Sequence, residues 1–230
     1  MPLTTVGVDA VDTLWHNETI FRLTQARFAE LLAPYADRDD LAARLAATES
    51  RNLRLYGYGI KGFTLSMVET AMDFAGDGAG PVVREILAAG REMLTHKVEP
   101  LPGVKATLAL LAERYRLVLI TKGDLLDQER KLAASGLGEL FSAVEIVSEK
   151  TAATYVTVFD RHGTGAASAA MIGNSLKSDV IPALEAGAFA AHIPEHLTWA
   201  HEVADAPTGH LRFAELASMA EAPMWLAGCA

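Results

Sequence analysis

Four short apolar runs in this chain are each followed at once by residues able to do chemistry. Asp9 and Asp12-Thr13 follow residues 6–8, and Thr121-Lys122-Gly123-Asp124 follow residues 117–120. Glu149-Lys150 come after residues 144–147. Gly173-Asn174-Ser175, with Asp179 one turn later, come after residues 169–172. Carboxylates, a hydroxyl, a lysine and a side-chain amide form a set that handles anionic groups through charge and hydrogen bonding. Cysteine and serine nucleophiles find no support beside it. The single cysteine, Cys229, has no base near it in sequence and reads as a free, exposed thiol, and no Gly-x-Ser-x-Gly elbow occurs.

The elements around these positions explain why they should converge. The four runs and a fifth at 190–193 have the length and composition of buried strands. The segments after 103, 124, 151 and 179 carry apolar residues at helical spacing, as in Val104, Leu108 and Leu111. Buried strands alternating with amphipathic helices predict an α/β fold, a Rossmann-like parallel sheet covered on both faces. Such a sheet binds its ligands outside the carboxyl ends of the strands, where the polar residues fall.

Residues 18–95 break the alternation. They read as helices at 26–32, 41–54, 64–74 and 82–94, punctuated by glycine-containing loops at 57–62 and 76–81. This predicts an α/β core of residues 1–17 and 96–230 with a helical cap domain, 18–95, inserted after the first strand. Glu99-Pro100-Leu101-Pro102-Gly103 is a stiff, turn-forming joint that could serve as a hinge.

Composition narrows the partners. Half of the 230 residues are hydrophobic, enough for a buried core, and the formal net charge is −9. An acidic balance excludes nucleic acid, which needs a basic footprint, but leaves room for a small anionic substrate at a locally positive site. Charges interrupt every apolar run before it reaches the length of a membrane span. The expectation is a cytoplasmic protein with no membrane partner and an open oligomeric state.

In order and spacing these residues resemble the haloacid dehalogenase superfamily of hydrolases. Asp9-Ala10-Val11-Asp12-Thr13 is similar to its first motif, Asp-x-Asp-x-Thr, and the strand ending in Thr121 to its second. Lys150 stands for its motif lysine, and Gly173-Asn174-Ser175-Leu176-Lys177-Ser178-Asp179 for its acidic fourth motif. The resemblance implies a Mg²⁺-assisted phosphatase-type hydrolase. In that reading Asp9 is the nucleophile, Thr121 binds a transferring oxygen and Lys150 offsets charge. Mg²⁺ is held by Asp9, the backbone carbonyl of Val11, Asn174 and Asp179, while Lys122, Gly123, Arg54 and Lys61 bind substrate. The cap would select that substrate.

This chain departs from the family pattern twice. Val11 replaces the acid–base aspartate of phosphatases, and Asn174 supplies a neutral oxygen where many members have a carboxylate. Asp12, adjacent to the vacant role, is expected to cap a turn instead. The loss at Val11 keeps a second reading open, a metal-independent carbon–halogen hydrolase, and a third, a degenerate member that only binds ligand.

Other signals are set aside. Gly57-Tyr58-Gly59-Ile60-Lys61-Gly62 matches Gly-x-Gly-x-x-Gly but follows no strand, so it reads as a tight cap loop. Arg51, Arg54, Tyr56 and Lys61 around it read as exposed helix charges before an anion site. His192, His196 and His201 invite a metal reading, but Pro194 interrupts any helix that would align the first two. Trp199-Ala200-His201-Glu202 is expected to pack beside the strand ends.

Overall fold

The computed structural model describes residues 2–195 and 204–229. In chain order it runs through strand β1 (Thr5–Val8), helices α1 (Glu18–Leu32), α2 (Arg38–Tyr56), α3 (Ile60–Ala75) and α4 (Ala79–Leu94), then α5 (Val104–Ala112) and β2 (Arg116–Lys122). It continues with α6 (Leu125–Ser135), β3 (Ala143–Val147), α7 (Ala152–His162) and β4 (Ala169–Gly173). A π-helical turn (Leu176–Val180), α8 (Ile181–Glu185), β5 (Phe189–His192), β6 (Phe213–Glu215) and α9 (Ala222–Gly228) complete it. The chain divides into two compact units. One comprises Met1–Glu18, Val98–Lys122 and Gln128–Ala230; the other comprises Thr19–Lys97 with Gly123–Asp127.

The first unit is built on a parallel sheet of order β3-β2-β1-β4-β5-β6. Side chains alternate across it as the period of two requires. Val6, Val8, Leu117, Leu119, Ala170 and Ile172 point to one face, against Leu108 and Leu111 of α5 and Leu226 of α9. Val118, Ile120, Ala169 and Met171 point to the other, against Tyr155 and Phe159 of α7 and Val180. Gly7 lies on this second face, where a Cβ would come within 2.8 Å of Ile120 Cδ1 and 3.3 Å of Phe159 Cε1. Glycine there lets the ring of Phe159 close onto the sheet.

Connections leave β1 toward β2 and β3 on one side, and β4 toward β5 and β6 on the other. The switch point of the sheet therefore lies between β1 and β4, whose register pairs Val8 with Ile172. The residues that follow these two strands open into that crevice.

The second unit packs α1–α4 around Phe28, Leu32, Leu41, Leu45, Ile60, Phe63, Met67 and Ile86. Asp37 caps α2, its carboxylate accepting the backbone N–H groups of Asp39 and Asp40 at 3.0 Å each. No described helix is long and apolar enough to cross a membrane.

The structure corrects three expectations. The short strand β6 extends the sheet beyond β5, although its three residues carry too little hydrophobic pattern to announce it. Ile60–Gly62 belong to the first turn of α3 rather than to a loop. Glycine suits position 62 because a Cβ there would stand 2.7 Å from the Gly57 carbonyl. Cys229 is buried, not exposed, with its Sγ 3.4 Å from the Trp225 carbonyl, and burial pushes its thiol pKa up. The amphipathic α9 carries it into the sheet's helix layer.

Candidate active site

Asp9 leaves the end of β1 with its N–H bonded to the Ile172 carbonyl of β4 at 2.9 Å, so the switch point itself sets its position. The chain then folds tightly back. Leu14 N–H bonds the Ala10 carbonyl and Asp12 N–H bonds the Trp15 carbonyl, each at 2.8 Å, anchored by buried Ala10, Leu14 and Trp15. Asp12 adopts φ 56°, a left-handed conformation that aspartate tolerates better than most residues. Its carboxylate accepts the Asn17 N–H at 2.6 Å, a turn-capping bond. The side chain of Val11 packs against the apolar core layer. It offers no proton at that position.

From β4 the chain passes Gly173 and enters the π-helical turn. Ser175 caps this turn by accepting Ser178 N–H at 2.9 Å. The turn carries Asp179 back over the strand end, where its Oδ2 accepts the Ser175 N–H at 2.9 Å. Gly173 is needed here because any Cβ would overlap the Asp179 carboxylate. Lys150 arrives from the end of β3, one residue before Thr151 caps α7.

The three side chains meet in the interior. Lys150 Nζ donates to Asp9 Oδ1 at 2.5 Å and to Asp179 Oδ1 at 2.6 Å, its side chain only 2 % exposed. Thr13 Oγ1 donates to Asp9 Oδ2 at 3.1 Å and lies 3.3 Å from Asn174 Oδ1. Burial raises the pKa of both carboxyl groups, that of Asp179 to about 6, and the lysine's attraction only partly reverses this. For Lys150 burial works against the charge, but two carboxylates outweigh it and hold the ammonium protonated. The lysine has two anions while each carboxylate has a shared cation, which is why the two sides shift as they do. With all three ionised the cluster carries one excess negative charge.

This donor set fits a hard divalent cation. Oxygens of Asp9, Thr13, Asn174 and Asp179, the hard donors such a cation takes, gather beside an excess negative charge. No group of three or more His, Cys, Asp or Glu side chains able to hold a metal occurs among the described residues. A cation here would depend on the Asn174 amide and on a backbone carbonyl as well as on Asp9 and Asp179.

Of the other residues singled out in the sequence, Thr121 is the last but one residue of β2, the strand that pairs with β1, and Lys122 donates through Nζ to Ser178 Oγ at 2.8 Å. Gly123 groups with the helical unit. In that unit Lys61 pairs with Asp124 at 2.8 Å, Arg51 with Glu69 at 2.9 Å, and Tyr56 donates to Glu69 at 3.1 Å. Arg54 lies exposed in the last turn of α2. His192 places Nε2 3.0 Å from the Asn174 carbonyl, while His196, His201 and the 199–202 stretch lie outside the described residues.

Several contributors have no signature in the sequence. Tyr155 of α7 donates to the Ser178 carbonyl at 2.9 Å, and Gln128 of α6 donates to Thr121 Oγ1 at 2.6 Å. Tyr155 reaches 23 residues along the chain and Gln128 seven, across the turn from β2 into α6, and neither residue type at that spacing announces a site.

Comparison with known proteins identifies the family. The family model for haloacid dehalogenase-like hydrolases matches residues 3–187. A haloacid dehalogenase-like family hydrolase from Xanthomonas campestris is 37 % identical, with TM-score 0.87, over 99 % of this chain and 91 % of its own. The putative HAD-hydrolase YfnB of Bacillus subtilis, solved bound to magnesium, is 17 % identical with TM-score 0.63 over 98 % and 99 % of the two chains. L-2-haloacid dehalogenase from Xanthobacter autotrophicus, solved with chloropropionic acid covalently bound, is 14 % identical with TM-score 0.69 over 99 % and 100 %. The last two likenesses concern the fold alone, and no curated protein matches the chain in sequence. The matched family model and the Xanthomonas relative together establish that this chain belongs to the haloacid dehalogenase-like hydrolases.

Proposed function

We propose that the chain hydrolyses a small phosphorylated metabolite whose leaving group is a weak base, through an aspartyl-phosphate on Asp9. The observation that carries this reading is the Asp9 carboxylate held between Lys150 and Thr13, beside the oxygens of Asn174 and Asp179. The Asp9–phosphorus bond forms as the bond to the leaving oxygen breaks, and water then releases phosphate and regenerates the carboxylate. Lys150 lessens the repulsion between an anionic nucleophile and an anionic substrate, and Thr121 donates to a transferring oxygen. Asp9, Asn174, Asp179 and the Val11 carbonyl would hold Mg²⁺, which when bound offsets charge on the phosphoryl oxygens.

Val11 shapes the substrate class. A general acid–base residue is worth about 10² to 10⁴ in rate, roughly 3 to 5 kcal/mol of barrier. Without one, an alkoxide must leave unprotonated, whereas an acyl phosphate or activated aryl ester expels a stable anion. Purified protein should therefore release phosphate from acyl phosphates and aryl esters in the presence of Mg²⁺, and EDTA should suppress it. Silence across a broad phosphometabolite panel that includes both classes would refute the reading. The apolar setting of Val11 also favours a second one, metal-independent cleavage of a carbon–halogen bond by Asp9. Halide release from 2-halo acids that survives EDTA would identify it.

A further inference from the structure

We infer that Gln128 is a positioning residue that fixes the direction of the Thr121 hydroxyl, turning it into a hydrogen-bond donor toward the ligand. The inference rests on the proposed role of Thr121 and adds the group that makes that role possible.

Gln128 is buried in the first turns of α6, and one atom of its amide makes both contacts. Nε2 lies 2.6 Å from Thr121 Oγ1 and 3.0 Å from the Lys122 backbone carbonyl. The second contact decides the first. A carbonyl oxygen only accepts, so the amide atom facing Lys122 must be the NH₂ group rather than the oxygen. Its two hydrogens are then spent, one on each partner. The Thr121 hydroxyl accepts from Gln128 and keeps its own hydrogen to give.

The structure offers that hydrogen little else. The Lys122 carbonyl is 3.4 Å from Thr121 Oγ1, a long contact to an oxygen already accepting from Gln128. The hydroxyl is left oriented at the end of β2, next to the strand that presents Asp9. Preorganised donors of this kind act on charge that develops in the transition state without reorganising at that moment.

Two measurements test this. Neutron diffraction from deuterium-exchanged crystals should place a Gln128 deuteron on the Thr121 side and the Thr121 deuteron turned away from Gln128. A Thr121 deuteron pointing at the Gln128 amide overturns the inference, whatever the enzyme's substrate. The second is a double-mutant cycle with para-nitrophenyl phosphate and Mg²⁺. Gln128→Leu should lower kcat about 5- to 20-fold with little change in KM. In a Thr121→Val background, which lacks the hydroxyl, the same change should cost less than about twofold; in Thr121→Ser it should keep its effect. Equal losses in the Thr and Val backgrounds would mean a merely structural role and would overturn the inference. Should Gln128→Leu fold poorly, the near-isosteric Gln128→Glu serves, since a carboxylate takes the Thr121 proton for itself and kcat should fall as far. A chain that releases no phosphate at all would sink the proposed function, leaving the deuteron positions to decide this point alone.

Discussion

The Lys150 ammonium lies 2.6 Å from Asp179 Oδ1 with both side chains closed to solvent, and the same nitrogen reaches Asp9 Oδ1 at 2.5 Å. One cation serves two buried carboxylates, which leaves the cluster one positive charge short. Burial drives the Asp179 carboxyl up to about 6 even with the lysine in contact. The site is a place where fold and chemistry ask for different charges.

Removing the lysine should expose that conflict. Lys150→Met leaves Asp9 and Asp179 buried without a cation, a change that costs about 3 to 5 kcal/mol in comparable sites. The loss should be smaller at pH 5 than at pH 8, because protonation of a carboxyl relieves the uncompensated charge. Thermal unfolding at the two pH values checks this; an identical drop in melting temperature at both would contradict it.

Neutralising Asp179 should act in the opposite sense on stability. Its carboxyl is raised in the fold, so its contribution is fully present below the unfolded value near 3.8 and is lost as pH rises through about 6. Asp179→Asn removes that loss. The variant should be more stable than the parent above about pH 6, by on the order of 1 to 3 kcal/mol, and equal to it near pH 3.5. Its turnover should fall at least about 100-fold, a loss comparable to removing a general acid–base group. A denaturant titration across pH, paired with phosphate release, reads both.

Restoring the missing acid is the most direct trial of the chemistry. Val11→Asp should raise turnover of alkyl phosphomonoesters by about 10² or more while leaving acyl phosphates within a few fold. The selectivity matters more than the gain. A uniform rise over both classes would indicate better binding rather than leaving-group protonation.

Gly173 tests the close approach of strand and turn. A Cβ at this position would overlap the Asp179 carboxylate, which cannot retreat while it accepts the Ser175 N–H and the Lys150 ammonium. Gly173→Ala should destabilise the fold by about 1 to 3 kcal/mol and displace Asp179. Weaker Mg²⁺ binding by calorimetry should accompany the lower melting temperature; unchanged Mg²⁺ affinity would count against Asp179 as a ligand.

The parallel sheet and its polar strand ends were legible because both signals are local. An apolar run of four or five residues announces a buried strand, and the first polar residue after it lies at the strand's carboxyl end wherever the strand sits. Asp9, Thr121 and Asn174 are residues of that kind, while Lys150 and Asp179 lie further on and were singled out by their likeness to the family's third and fourth motifs. Strand β6 was not, because its three residues are partly exposed and carry no run. Cys229 was misread because position near an end says nothing about which face of a helix is covered.

What the sequence determined by itself is the inventory at the strand ends, including the absence of an acid at Val11, since residue type and hydrophobic period need no partner to be read. Only the tertiary structure decided that Lys150 would be shared by Asp9 and Asp179, which lie 141 and 29 residues from it. It alone joined Gln128 to Thr121. The physical reason is the same in both cases: side-chain geometry at a switch point depends on strand order and on the turns that follow it. Those are set by packing across the whole sheet, not by neighbours in the chain.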